Sequence, residues 1–253
     1  MIAMTLDRLG VILAGGEGSR LRPLTYYFQK CMIPVGPRQR PLLEYVILNI
    51  KRAGLKRIIF LVGYKAEQIM NYFGEGERYG LSLQYVFDNP DLKGTGGSLL
   101  NLYRQGCLRG RETILIHYGD ILSNVDLANI IEKHEKDDAD ATIALSRKYE
   151  LPVGVAKVEN DRIISFVEKP SIDLYVSIGI LVMNSRILSE LDKLTLKKSN
   201  LDIMSDFIPY LIENGRLVKP YITEAFWYDV GSTEKYEKLT NELIEKYLSG
   251  LEV

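Results

Sequence analysis

The chain has 253 residues, 46% of them hydrophobic and 26% charged, enough for one large α/β domain or two small ones with an ample core. A formal net charge of -1 supplies no sequence-wide cationic field and so argues against a nucleic-acid partner, and no apolar run approaches the roughly 20 residues of a bilayer span. The only cysteines, Cys31 and Cys107, are too few for a disulfide framework, and the first residues lack the apolar stretch of a signal peptide, so a cytoplasmic protein is expected.

The first predicted element is a strand over residues 10–13. It breaks into Ala14, Gly15, Gly16, Glu17, Gly18, Ser19, Arg20, Leu21, Arg22, Pro23, Leu24 and Thr25, with Lys30 just beyond. Glycines without a Cβ let backbone N–H groups press against an anion, and Arg20, Arg22 and Lys30 can neutralise what those groups hold, so this reads as a phosphate-handling loop. Two better-known phosphate loops do not fit. A P-loop needs Lys-Ser or Lys-Thr after its last glycine, where Ser19-Arg20 stands, and a dinucleotide fingerprint needs a third glycine or alanine where Leu21 stands.

Residues 42–53 form an amphipathic helical pattern ended by Gly54, 57–62 a short β-branched strand and 67–73 a further helix. A strand over 81–87, a helix over 96–103 and a buried strand over 113–117 running into Gly119-Asp120 complete the first half. Strands separated by helices of this length imply a parallel sheet with helices on both faces and ligands gathered at the carboxyl ends of the strands. After a helix over 126–136, strands over 141–147, 153–159, 162–168 and 175–183 follow, with Asn160-Asp161 as a hairpin turn. This half is richer in antiparallel strands. A helix over 202–214, kinked at Pro209, precedes strands over 217–222 and 226–228, and a terminal helix over 232–248 is capped by Ser232. The expected fold is a Rossmann-like, mostly parallel mixed sheet flanked by helices. It forms one domain, about 1–130 serving a nucleotide and about 131–253 a second substrate, and no linker or repeat divides the chain.

The run Leu-Ala-Gly-Gly-x-Gly-Ser-Arg-Leu-x-Pro-Leu-Thr from Leu13, followed by Lys30 and Met32-Ile33-Pro34-Val35, resembles the opening of the sugar-1-phosphate nucleotidylyltransferases. The resemblance continues through Pro41-Leu42-Leu43-Glu44-Tyr45, Gly94-Thr95-Gly96-Gly97, Gly119-Asp120, Val167-Glu168-Lys169-Pro170 and Trp227-Tyr228-Asp229-Val230-Gly231. It implies joining of a sugar 1-phosphate to a nucleoside triphosphate with release of pyrophosphate. Such chemistry needs alignment and charge neutralisation more than a protein nucleophile, because the attacking phosphate is already ionised. Many relatives carry a left-handed β-helix after the catalytic domain; this chain stops a helix beyond Asp229 and is expected to be the catalytic domain without it.

Carried over residue by residue, the resemblance assigns Arg20 to the leaving phosphates, Lys30 to the α-phosphate and Lys169 to the sugar phosphate. Leu13, Ala14, Gly15, Gly16, Gly18, Ser19, Asp88, Gly94 and Thr95 would hold the nucleotide, and Gly154, Glu168, Lys169 and Ser177 the sugar. Asp120 and Asp229 would bind Mg2+, two hard oxygen ligands with substrate phosphates filling other positions. The chain departs from the family at four points. Gln29 and Cys31 replace the prolines that usually flank the lysine, which predicts a less rigid loop; Tyr118 replaces an asparagine before Gly119-Asp120, and Ser177 replaces an asparagine that binds a sugar hydroxyl. A carboxylate at Asp88 can accept both N1–H and the exocyclic amine of guanine, which favours GTP, and the Gly94-Thr95-Gly96-Gly97 run resembles that of guanylyl-transferring members, which implies mannose or heptose 1-phosphate. UTP or dTTP with glucose 1-phosphate is the alternative. Two other classes compete: a non-catalytic sugar-nucleotide-binding regulatory subunit, against which Arg20, Lys30, Asp120 and Asp229 all being present counts, and a nicotinamide-dependent oxidoreductase, against which the missing third glycine counts. A homo-oligomer is compatible with any of these.

Overall fold

The computed structural model of the protein describes residues 7–110, 112–151, 153–196 and 198–251. Strand β1 (Asp7–Ala14) alternates its side chains, with Leu9 and Val11 entering one apolar layer and Ile12 and Ala14 the other. A short pair, β2 (Pro34–Val35) and β3 (Arg40–Pro41), leads into helix α1 (Leu42–Arg52). Then come β4 (Arg57–Val62), α2 (Ala66–Phe73), β5 (Ser82–Phe87), α3 (Gly94–Arg104), β6 (Glu112–Tyr118), β7 (Ile121–Ser123) and α4 (Leu127–Lys136). The second half holds β8 (Ala141–Glu150), β9 (Val155–Glu159), β10 (Arg162–Val167), β11 (Ser171–Asn184), α5 (Leu191–Thr195), α6 (Ile208–Glu213), β12 (Val218–Thr223), β13 (Trp227–Asp229), α7 (Thr233–Lys238) and α8 (Asn241–Leu248).

A seven-stranded sheet of order β12-β8-β11-β6-β1-β4-β5 runs through the molecule. Strands β6, β1, β4 and β5 pair in parallel, as do β12 and β8, while β11 is antiparallel to both its neighbours. Among the strands of this sheet, β11 alone opposes the other six. Apolar side chains of α1, α2, α4 and α8 cover one face, and those of α3, α5 and α6 the other. This double cover explains why β4 reads as an unbroken apolar run and is buried at all six positions.

The expected strand-helix alternation holds, including the hairpin turn, where Asn160 and Asp161 both take positive φ (47° and 60°) as a type I′ turn demands. Three details differ. The terminal helix divides into α7 and α8, because Leu239 leaves helical geometry (φ -80°, ψ 88°) and the Thr240 hydroxyl accepts the Leu243 N–H at 3.3 Å as a new cap. The break lets Ile244 and Leu248 enter the core, whereas α7 has no buried residue and meets the core only through the half-buried Tyr236. Residues 203–213 are helical throughout but not uniformly α: a wide π-helical stretch (Ile203–Phe207) runs directly into α6, whose first turn holds Pro209, so the irregularity beside the proline is a widened turn. Finally, β7 is too short to show periodicity, yet it pairs with β13 and governs the site described next.

Candidate functional site

A cavity of about 620 Å³ opens over the carboxyl ends of the parallel strands. Leu13 and Ala14 end β1, Leu61 lies at the end of β4, Asp88 follows β5 and Tyr118 ends β6, and all line it. The phosphate-handling loop contributes Gly15, Gly16 and Glu17, and the next loop contributes Lys30. Lys93, Gly94, Thr95 and Ser98, at the start of α3, close the opposite side.

Two glycines are required by close approach. A Cβ on Gly15 would overlap the Asp88 carboxylate, and Gly18, with φ 62°, has Lys30 Cβ 3.0 Å from where its own Cβ would stand. The Asp88 carboxylate accepts the Ser98 hydroxyl at 2.6 Å, and burial pushes its pKa above the ordinary carboxylate value, opposed by that hydrogen bond. The Thr95 hydroxyl donates to Asp202 Oδ2 at 2.8 Å and accepts the Ile203 N–H at 2.9 Å, tying the start of α3 to the π-helical turn. Burial pushes the Tyr118 hydroxyl up to about 12 and the Cys31 thiol up to about 12, so both keep their protons at neutral pH.

Beside the cavity, Lys30 is ion-paired with Asp120. The β7–β13 pair sets Asp229 opposite Ile121, and the Val230 N–H donates to the Asp120 carbonyl at 3.0 Å, so two aspartates remote in the chain become backbone neighbours. Asp229 is itself paired with Lys235 at 2.6 Å. Each aspartate thus has its own lysine. Two hard carboxylates on adjacent strands suit Mg2+, and no group of three or more His, Cys, Asp or Glu with metal-holding geometry exists among the described residues. An ion bound there would draw its other ligands from phosphate and water.

Leu13, Ala14, Gly15, Gly16, Lys30, Asp88, Gly94, Thr95 and Asp120 are brought together around this cavity. Gly18, Ser19 and Arg20 lie outside its lining, on the short turn Ser19–Leu21, where the Arg20 carbonyl lies 3.4 Å from the Thr233 hydroxyl at the start of α7. Gly154, Glu168, Lys169 and Ser177 also lie outside, all exposed. Gly154 sits against the Phe166 ring and the Glu168 carboxylate. Lys169 adopts φ 46°, a left-handed conformation rare for a lysine. Glu234, whose carboxyl is held below its ordinary range chiefly by a hydrogen bond from Lys238, also feels Lys169 and Lys235, which puts Lys169 in electrostatic reach of α7. Sequence reasoning missed Ser98, Lys93 and Lys235. Ser98 could have been found as the residue one helical turn after Gly94, and Lys235 as a cation in the turn after Asp229.

No helix among the described residues is long and apolar enough to cross a membrane. The model of the family described as "Nucleotidyl transferase" matches residues 9–246. The chain is 30% identical over 245 residues to the mannose-1-phosphate guanylyltransferase of Mycobacterium tuberculosis, covering 92% of this chain and 64% of that protein. It is 32% identical over 238 residues to the D-glycero-alpha-D-manno-heptose 1-phosphate guanylyltransferase of Aneurinibacillus thermoaerophilus, covering 92% and 97%. The chain therefore spans about two thirds of the length of the first relative and nearly all of the second. The solved structure of HddC from Yersinia pseudotuberculosis shares the fold, with a TM-score of 0.68, 24% identity and coverage of 91% of this chain and 97% of that one.

Proposed function

Since the chain belongs to the nucleotidyl transferase family, we propose that it transfers a nucleotidyl group from a nucleoside triphosphate to a sugar 1-phosphate, with Mg2+ as cofactor. The observation that carries this reading is the pair of lysine-compensated aspartates, Lys30–Asp120 and Lys235–Asp229, set beside a cavity that begins at a glycine-rich loop. The main obstacle to the reaction is repulsion between two polyanions; each Lys–Asp pair is neutral by itself, and a divalent ion held by the aspartates would leave the two lysines as net positive charge facing the phosphates.

An oxygen of the sugar phosphate attacks the α-phosphorus, a new P–O bond forms, and the bond to the departing pyrophosphate breaks. Lys30 neutralises charge building on the transferring phosphoryl group, and Arg20 receives the pyrophosphate through its planar fork. Lys169 orients the attacking phosphate, with Glu168 and Ser177 toward the sugar hydroxyls. Asp120 and Asp229 would hold the divalent ion, which when bound adds charge compensation at the phosphates. Asp88 would read the base. Its carboxylate can accept two hydrogen bonds from guanine but only one from uracil or thymine, which supports GTP over UTP or dTTP, and the similarity to guanylyltransferases named for mannose 1-phosphate and heptose 1-phosphate supports such a sugar over glucose 1-phosphate.

A pyrophosphate-release screen of the common nucleoside triphosphates against a panel of sugar 1-phosphates, with Mg2+ and with chelator, tests this. Turnover fastest with GTP supports the reading, a preference for UTP or dTTP transfers it to the alternative, and no release from any pair with the ion present removes the activity altogether.

A further inference from the structure

Gln29 precedes Lys30 and is completely buried, at 0% exposure, although it belongs to a loop. All its polar groups are partnered. Its side-chain amide donates to the Ala14 carbonyl at 2.7 Å and accepts the Cys31 N–H at 2.6 Å, while its own N–H donates to Gln68 Oε1 at 2.6 Å and its carbonyl accepts the Met32 N–H at 2.8 Å. The amide orientation is unambiguous, since the Ala14 carbonyl can only accept and the Cys31 N–H can only donate. Gln68, on α2, also donates to the Tyr27 carbonyl at 2.7 Å, and Tyr64 donates to the Thr25 carbonyl at 3.0 Å.

The consequence concerns Lys30. A lysine ammonium rides on a flexible four-carbon stem, so its position depends on where its backbone is anchored. Here one amide ties the residue after Lys30 to the last carbonyl of β1, where the phosphate-handling loop begins. We propose that Gln29, held in turn by Gln68, is the positioning residue that sets Lys30 against the phosphates. This rests on the role given to Lys30 above. It also replaces the expectation of a looser loop: where prolines are missing, buried amide hydrogen bonds do the fixing.

The test uses pyrophosphate release with the substrate pair that turns over fastest in the screen, on Gln29→Ala, Gln68→Ala, Lys30→Ala and Gln29→Ala combined with Lys30→Ala. Displacement of a charge-stabilising group by about 1 Å lowers rate on the order of 10²-fold, so Gln29→Ala is expected to lower kcat roughly 10- to 100-fold, with KM for the sugar phosphate changed less than about twofold. Gln68 is only half-buried, so Gln68→Ala keeps the fold should Gln29→Ala lose it, and a smaller fall in kcat is expected there. Gln29→Ala should add no further loss in the Lys30→Ala background, because both changes remove one effect. Wild-type kcat in a folded Gln29→Ala, wild-type kcat in Gln68→Ala where Gln29→Ala does not fold, or an undiminished Gln29→Ala loss without Lys30 overturns the proposal while leaving the Lys30 assignment standing. Wild-type turnover in Lys30→Ala instead overturns that assignment, and this proposal with it.

Discussion

The central sheet and the separate two-stranded β9–β10 hairpin are built differently. Every residue of β4 in the central sheet is buried, and the cavity at its carboxyl end is walled by side chains already hydrogen-bonded or ion-paired, Asp88 to Ser98 and Lys30 to Asp120 among them. In the hairpin every residue of β9 and β10 is exposed, including Ile163 at 65% and Phe166 at 62%. The proposed nucleotide site is therefore pre-formed by the core, whereas the proposed sugar-phosphate residues Gly154, Glu168 and Lys169 sit on an arm that few contacts hold. An isolated two-stranded hairpin is marginal in water, so that arm depends on its junction with β8 and β11. A rigid site can pre-align one substrate, and a lightly held arm can adjust to a second.

The sharpest way to break this contrast is at the acid pair. Replacing Asp120 or Asp229 by Ala is expected to lower Mg2+-dependent turnover on the order of 10³-fold or more while leaving the circular dichroism spectrum intact, and unchanged turnover would detach that residue from the metal. In the buried central sheet, Phe60→Ala should lower unfolding free energy by about 3–5 kcal/mol, measured by urea titration. His117, also buried there, is pushed down to about 4 by desolvation. Its folded-state value lies below the unfolded one, so only the unfolded chain gains the proton as pH falls from 6.5 toward 4. Stability should drop by on the order of 3 kcal/mol over that window, and His117→Phe should flatten the fall. On the arm, Lys169→Ala is expected to raise KM for the sugar phosphate about 10-fold and leave KM for the nucleotide unchanged, the size of one lost charge-assisted contact. The smallest effect belongs to Ile163→Thr, less than about 0.5 kcal/mol in the same urea titration, since its side chain is already in water. A large loss there would mean the arm is held more firmly than its exposure indicates.

The same contrast explains what was legible beforehand. The glycine-rich loop could be read because its logic is local: glycines and cations close together after an apolar strand. Asp88 and Asp120 could be read as residues at strand ends, where α/β sheets collect ligands. The adjacency of Asp120 and Asp229 came only from the family resemblance and not from any local pattern, because a three-residue β7 carries no period and its partner lies in the last fifth of the chain. The Gln29–Gln68 contact is hidden for a similar reason, since two polar residues 39 apart look like ordinary surface until the fold stacks their loops. The split between α7 and α8 escaped because the terminal pattern shows no glycine or proline at the break, and a threonine cap inside it is easily overlooked.

The narrow β7–β13 ribbon has a bearing on how the molecule becomes competent during folding. The cavity is lined by residues up to Asp120, yet its α3 wall is tied to residues 199–203, and the second acid arrives more than a hundred residues after the first. Contacts so distant in the chain close slowly, because the entropy of a large loop opposes them. A nascent chain therefore completes neither the wall of its pocket nor its acid pair until the carboxyl-terminal segment comes home.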